Sequence, residues 1–88
     1  ISLSPSLPEA HLLLGRISHR AGRLSEAIEA FRIAIWAQDT AEARLALAET
    51  LVENNQPDEA RIEIARVLEL EPDSELGADA KALLDRIK

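Results

Sequence analysis

Two stretches of the chain, 33 residues apart, follow the same order of residue types: residues 22–31 read GRLSEAIEAF and residues 55–64 read NQPDEARIEI. Each stretch begins with a residue suited to a turn, continues with residues that favour a helix start, and then places Glu-Ala ahead of a large apolar residue. A repeat of this length is typical of one supersecondary unit, which buries its apolar surface by stacking on a neighbouring unit.

Apolar residues recur at helical spacing along the whole chain. The hydrophobic fraction is 47% and consists mostly of Ala, Leu and Ile, which are common in helices, with a single Phe, a single Trp and no Tyr. We predict helices over 8–20, about 24–37, from the stretch 39–42 to Asn54 and Asn55, from Pro57 to just before Pro72, and about 74–87. Asp39 and Glu42 have the spacing of a capping box for the third helix. Gly22 and Asn55 are expected to end helices with positive φ.

The chain aligned with itself at the offset of 33 residues pairs five positions that a helix-turn-helix repeat would use for packing and for its turn. The pairs are Gly15 with Ala48, Gly22 with Asn55, Ala27 with Ala60, Phe31 with Ile64, and Ala34 with Val67. Together with Leu14, Leu47 and Pro72, these residues resemble the tetratricopeptide repeat, a helix-turn-helix unit of about 34 residues. The departures from its pattern are His11, Ser18, Asp39, Arg44 and Lys81.

The resemblance implies an all-α fold, a right-handed alpha-alpha superhelix of two helix-turn-helix repeats and a C-terminal capping helix. We expect repeat 1 over 8–40, repeat 2 over 41–74 and the capping helix over 75–88. Residues 1–7 are then the tail of a preceding repeat, or a linker. The chain has no methionine, so Ile1 is not a translation start, and we expect an excised piece of a longer protein.

The resemblance also implies a function, because stacked units of this family bind peptides or partner proteins in a groove formed by their first helices. We therefore expect a non-catalytic interaction module. The groove residues by repeat position are Glu9, Leu12, Arg16, His19, Arg20, Glu42, Leu45, Glu49, Val52 and Glu53. The alternative is a structural spacer, or a self-association segment, of a longer solenoid attached to other domains. An outer apolar face of the first helix, with Leu13 and Ile17, is expected to promote pairing of such pieces.

Charge along the chain has two interpretations. Arg16 and Glu49 share one repeat position, and Arg20 and Glu53 share another, so we expect ion pairs between adjacent helices, or else a groove of mixed sign that selects a charged ligand. Residues 41–74 hold nine acidic residues against three arginines and account for the net charge of −6. A basic partner would fit this unit, although such a face is more often only solubilising.

Several other functions are disfavoured. His11 and His19 lie about two turns apart, too far to share a metal without a third ligand, so we expect no metal and no cofactor. No phosphate-binding loop and no nucleophile paired with a base is evident. An anionic chain with few aromatic residues is a poor nucleic-acid binder. We expect no membrane insertion, and a soluble chain in the cytoplasm rather than the periplasm.

Trp36, the single tryptophan, lies near the end of the second predicted helix. Two positions are open for its side chain. It packs against the following helix, which we favour, or it is an exposed anchor for a partner, as tryptophan often is at interfaces.

Overall fold

The computed structural model describes residues 7–87, which form five α-helices joined by short turns. The helices are α1 (Pro8–Arg20), α2 (Leu24–Ala37), α3 (Ala41–Glu53), α4 (Pro57–Leu70) and α5 (Glu75–Ile87). The predicted all-α fold is confirmed. Residues 1–6 and Lys88 lie outside the described part, so the expectation of a preceding tail over 1–7 falls almost wholly outside it. Within residues 7–87, no helix combines the length and apolar character that a membrane span requires.

The same turn joins α1 to α2 and α3 to α4. Gly22 has a φ of 79° and Asn55 a φ of 61°, so both lie in the left-handed region, as predicted. In the first turn the Arg23 N–H donates to the Ser18 carbonyl at 2.9 Å, and in the second the Gln56 N–H donates to the Leu51 carbonyl at 2.8 Å. These bonds satisfy carbonyls that a helix end would otherwise leave without a partner. The repeat in sequence is therefore a repeat in backbone geometry.

The start of α3 differs from the prediction. The N-cap of α3 is Thr40, whose hydroxyl oxygen accepts a hydrogen bond from the Ala43 N–H at 3.2 Å. The N-cap therefore lies one residue after the predicted Asp39. The residue three positions after Thr40 is Ala43, so the predicted capping box of Asp39 and Glu42 is wrong. Asp39 instead accepts two hydrogen bonds from the Arg44 guanidinium, at 2.7 and 2.9 Å.

Small residues allow α1 and α2 to approach closely. A Cβ atom added at Gly15 would lie 2.5 Å from the Phe31 ring, so the ring occupies the space that any side chain at Gly15 would need. Phe31 is only 1% exposed and Ala27 is fully buried. In the second hairpin Ala48 and Ala60 are likewise fully buried. The small residues at these matched positions set the distance between the paired helices.

Two apolar clusters form the core. The first lies where the α1/α2 hairpin meets the α3/α4 hairpin, and its buried members are Ala27, Phe31, Leu47, Leu51 and Ala60. The second joins α3, α4 and α5, and its buried members are Ala41, Leu45, Ala48, Ile64, Val67, Ala80 and Leu83. The side chains of α5 thus complete the core of the second hairpin. The assignment of α5 as a capping helix stays a prediction. The exact repeat boundaries stay a prediction.

An apolar residue is expected at position 44, but the chain has Arg44 there. Its side chain forms ion pairs with Asp39 and with the nearly buried Glu63. Its side chain is 17% exposed and lies 2.7 Å from a Glu63 carboxylate oxygen that is itself on a side chain only 10% exposed. The hydrogen bonds from Arg44 also lower the pKa of Asp39. One guanidinium therefore connects the turn before α3 with α3 itself and with α4.

Trp36 is 83% exposed, so the favoured prediction of burial is wrong. The inward face of α2 is formed by residues such as Ala27, Phe31 and Ala34, and Trp36 lies on the opposite side, with Arg32 and Ile33 one turn before it. Ile33 is also exposed, at 42%. Position on the helix, rather than the apolar character of the side chain, decides the burial here.

Candidate functional site

An open groove of about 480 Å³ lies between α1, α3 and the first turn of α5. Of the ten residues predicted for a binding groove, six line it: Arg16, His19, Arg20, Glu42, Leu45 and Glu49. Its other lining residues are Leu13, Ile17, Phe31, Ala46 and Leu76. Charged side chains and apolar walls therefore alternate along one surface, which we call the groove.

The other four predicted residues lie elsewhere. Glu9 and Leu12 line a smaller cavity of about 130 Å³ near the start of α1, and Glu42 borders both cavities. Val52 is half-buried and packs against the apolar core, so it serves the fold. Glu53 is at the end of α3, where its carboxylate contacts the His19 ring. Whether any of the ten contacts a partner stays a prediction.

The ion pairs between α1 and α3 have partners different from those expected. Arg16 donates to Glu42 at 2.8 Å rather than to Glu49, and His19 rather than Arg20 contacts Glu53. Side chains on a helix lean toward its N-terminus, and the long Arg16 side chain thereby comes level with the first turn of α3. Both members of the Arg16–Glu42 pair are exposed, so this pair contributes only about 0–1 kcal/mol to stability.

Glu49 and Arg20 are consequently the charged residues of the groove that remain unpaired within the described part of the chain. The Glu49 side chain is exposed to the groove, yet the surrounding protein displaces enough water to raise the pKa of its carboxyl. His19 opposes this effect on the pKa, Asp79 and Glu53 add to it, and Arg86 opposes it weakly. A partly desolvated carboxylate without a partner is costly to the free protein and is available to a ligand.

The apolar walls of the groove were largely missed at the sequence level. Leu13 and Ile17 were assigned to an outer face of α1, but both also line the groove. Leu76 was not among the predicted groove residues, yet it lies at the start of α5 and lines the groove. One signal was present: Leu13 and Ile17 each adjoin a predicted groove residue, so the apolar surface of α1 extends around to the groove.

An apolar stripe runs along the outside of α1. It comprises Leu7, Ala10, Leu13, Leu14 and Ile17. Its four large side chains are exposed by 41%, 59%, 51% and 56% in chain order. The exposed outer face of α1 expected from the sequence is therefore present in the structure.

The side chains that line the groove are apolar or charged, apart from the imidazole of His19. Its lining holds no Ser, Thr or Cys side chain that His19 could activate as a nucleophile. Across the described residues, His, Asp and Glu side chains form no group able to hold a metal ion.

Helix hairpins packed side by side, with a groove on one face and a further helix packed against the second hairpin, define an α-solenoid of the helical-repeat class. Models of the tetratricopeptide repeat match the chain over residues 32–87 and over residues 3–43. The chain belongs to the tetratricopeptide repeat family and has its alpha-alpha superhelical fold. Members of the family are generally protein-protein interaction modules. Neither the comparison with curated proteins nor the comparison with solved structures gave a match.

Proposed function

We propose that this chain is a non-catalytic module that binds a peptide or a segment of a partner protein in the groove between α1, α3 and α5. The observation that carries the proposal is the lining of the groove. Exposed apolar side chains, Leu13 and Ile17, lie beside charged residues that lack a partner in the described structure, Arg20 and Glu49. A partner segment would bury Leu13 and Ile17 and would place opposite charges beside Arg20 and Glu49.

A selection from a random peptide library, with the 88-residue chain immobilised, tests this proposal. Selected peptides are then measured by fluorescence anisotropy against the unchanged chain and two variants. Ile17→Glu places a charge on the groove wall, and Ile62→Glu makes the same change on α4, away from the groove. The two isoleucines are 56% and 62% exposed, so the variants are matched for solvent exposure.

We expect peptides whose binding is lost in Ile17→Glu and retained in Ile62→Glu. Both variants must keep the helical circular-dichroism spectrum and the unfolding midpoint of the unchanged chain to within a few degrees. Peptides that bind both variants equally, or a selection that returns no binders, would remove the support for the groove as a binding site.

The second candidate is a spacer or self-association segment, and the apolar stripe of α1 favours it. Leu14 belongs to this stripe but not to the lining of the groove. Sedimentation velocity of the unchanged chain and of Leu14→Glu therefore examines self-association separately from groove binding. A concentration-dependent dimer that Leu14→Glu converts to monomer supports this candidate, and a monomer at all concentrations argues against it.

A further inference from the structure

We infer that the groove selects a partner segment carrying one basic side chain, lysine or arginine, which pairs with Glu49 while its aliphatic stem lies on Leu45 and Leu76. This inference rests on the proposed function, because it names the ligand chemistry of the same groove. It goes further by assigning the determinant of specificity to a single carboxylate.

The acidic residues in and beside the groove differ in whether their carboxylates already have a partner. Glu42 is engaged by Arg16 and Glu53 by His19. Glu49 lies between them on α3 and has no ion pair or hydrogen bond within residues 7–87. A ligand cation therefore meets a free carboxylate at Glu49, whereas at Glu42 or Glu53 it would have to displace an existing partner.

The surroundings of the Glu49 carboxyl disfavour its ionised form. This carboxyl loses water to the surrounding protein, which raises its pKa, and Asp79 and Glu53 act in the same direction. His19 and Arg86 oppose them without removing the net shift. The positive charge nearby therefore does not offset the loss of water at this carboxylate. An incoming ammonium or guanidinium group supplies further positive charge and forms a charge-assisted hydrogen bond.

Two leucine side chains, Leu45 and Leu76, line the groove together with Glu49. Leu45 precedes Glu49 by four residues, so the two side chains are neighbours on one face of α3. Leu76 of α5 packs against the apolar cluster that contains Leu45, and both leucines line the groove. Lysine and arginine have apolar stems that cover such surfaces while their charged ends reach a polar group.

The groove favours a ligand with one basic residue over a ligand with several basic residues in a row. Arg20 also lines the groove and has no partner in the described structure. A second cation bound beside it would be repelled. General attraction to the acidic residues of 41–74 would favour any peptide with many basic residues. Pairing with Glu49 instead requires one basic residue at a particular position of the peptide.

The experiment uses groove-binding peptides from the selection, defined as those whose binding Ile17→Glu abolishes and Leu14→Glu leaves intact, because Ile17 belongs to both the groove and the apolar stripe of α1. Each is resynthesised with lysine, norleucine or glutamate at every basic position, and binding is measured to the unchanged chain, to Glu49→Gln and to Asp79→Asn. Norleucine keeps an aliphatic stem and removes the charge. Asp79→Asn removes a nearby negative charge and leaves the proposed pairing group in place.

We expect one position at which norleucine weakens binding to the unchanged chain about tenfold or more, as loss of a charge-assisted bond does. Glu49→Gln should bind the lysine and norleucine peptides about equally. Asp79→Asn should retain most of the preference for lysine. Thermal unfolding of Glu49→Gln at or above the unchanged midpoint confirms that the variant is folded.

Two results overturn the inference and leave the proposed function intact. One is groove-binding peptides with no preference for lysine over norleucine at any position. The other is a preference that persists in Glu49→Gln, which would assign the pairing to another acidic residue. If no peptide depends on Ile17, the proposed function itself fails, and the inference fails with it.

Discussion

Gly15 shows how one residue can set the distance between two helices. A Cβ there would lie 2.5 to 2.9 Å from three atoms of the Phe31 ring, and the ring is almost fully buried. Helix propensity and packing therefore predict opposite effects for a substitution by alanine. Propensity alone predicts that alanine stabilises the helix by about 1 kcal/mol.

We predict that Gly15→Ala destabilises the chain by about 1–3 kcal/mol, because the buried Phe31 ring has to move. Urea unfolding followed by circular dichroism measures the difference. An increase in stability would show that α1 and α2 separate freely, and it would contradict the assignment of Gly15 as the spacer of this hairpin.

Glu49 gives a prediction about pH. Its pKa is raised in the folded chain relative to the ordinary value of 4.5, so the folded state resists ionisation of this group. The resulting penalty is absent below the ordinary pKa, grows as pH rises through the folded value, and is constant above it. The groups that face Glu49 and shape this profile are His19 on α1, Glu53 on α3, and Asp79 and Arg86 on α5.

Glu49→Gln is therefore expected to raise the unfolding midpoint at pH 7, with the gain disappearing as pH falls below about 4.5. Thermal scans of both proteins from pH 3.5 to 8 measure it. Because the same substitution is expected to abolish recognition of a basic side chain, stability and binding should change in opposite directions. A destabilised variant at pH 7 would mean that Glu49 supports the fold.

At the scale of elements, the network around Arg44 links α3 to α4 and to the turn before α3. We predict that Arg44→Ala costs about 3 kcal/mol, because it leaves Glu63 nearly buried and without its cation. Arg16→Ala is the matched control, since the Arg16 and Glu42 side chains are 51% and 53% exposed and their pairing contributes about 0–1 kcal/mol. Urea unfolding of both variants tests the contrast, and equal losses would contradict it.

The sequence predicts elements well where the cause is local. The turns at Gly22 and Asn55 follow from backbone preference, and the five helices follow from apolar spacing and from prolines at their ends. The ion pairs were mispaired because the choice of partner depends on the lean of side chains across two helices. Trp36 was expected to pack against the following helix, although Arg32 and Ile33 share its exposed side of α2.

At the scale of the whole molecule, the chain is elongated, with principal extents of 43, 26 and 17 Å. α3 contacts each of the other four helices, and the groove is lined by residues of α1, α2, α3 and α5. The candidate site is therefore a property of the assembled helices. Repeat positions identified six of its lining residues, whereas the contributions of Leu13, Ile17 and Leu76 require knowledge of how α1 and α5 flank α3.

The exposed face around Trp36 provides the competing surface for a partner. Ile33 and Trp36 are exposed together on α2, and Trp36 borders a shallow depression with Arg32 and Arg44. This depression shares no lining residue with the groove. A measurement that reports on both surfaces at once therefore decides between them.

That measurement is a two-dimensional ¹H–¹⁵N NMR titration of the labelled chain with the tightest peptide from the unbiased library selection. Binding in the groove predicts that the largest amide shifts cluster on Arg16, Ile17, Leu45 and Glu49, with the Trp36 indole unchanged. Shifts concentrated on Ile33 and Trp36, with the α1 and α3 amides unmoved, would contradict the groove as the binding site.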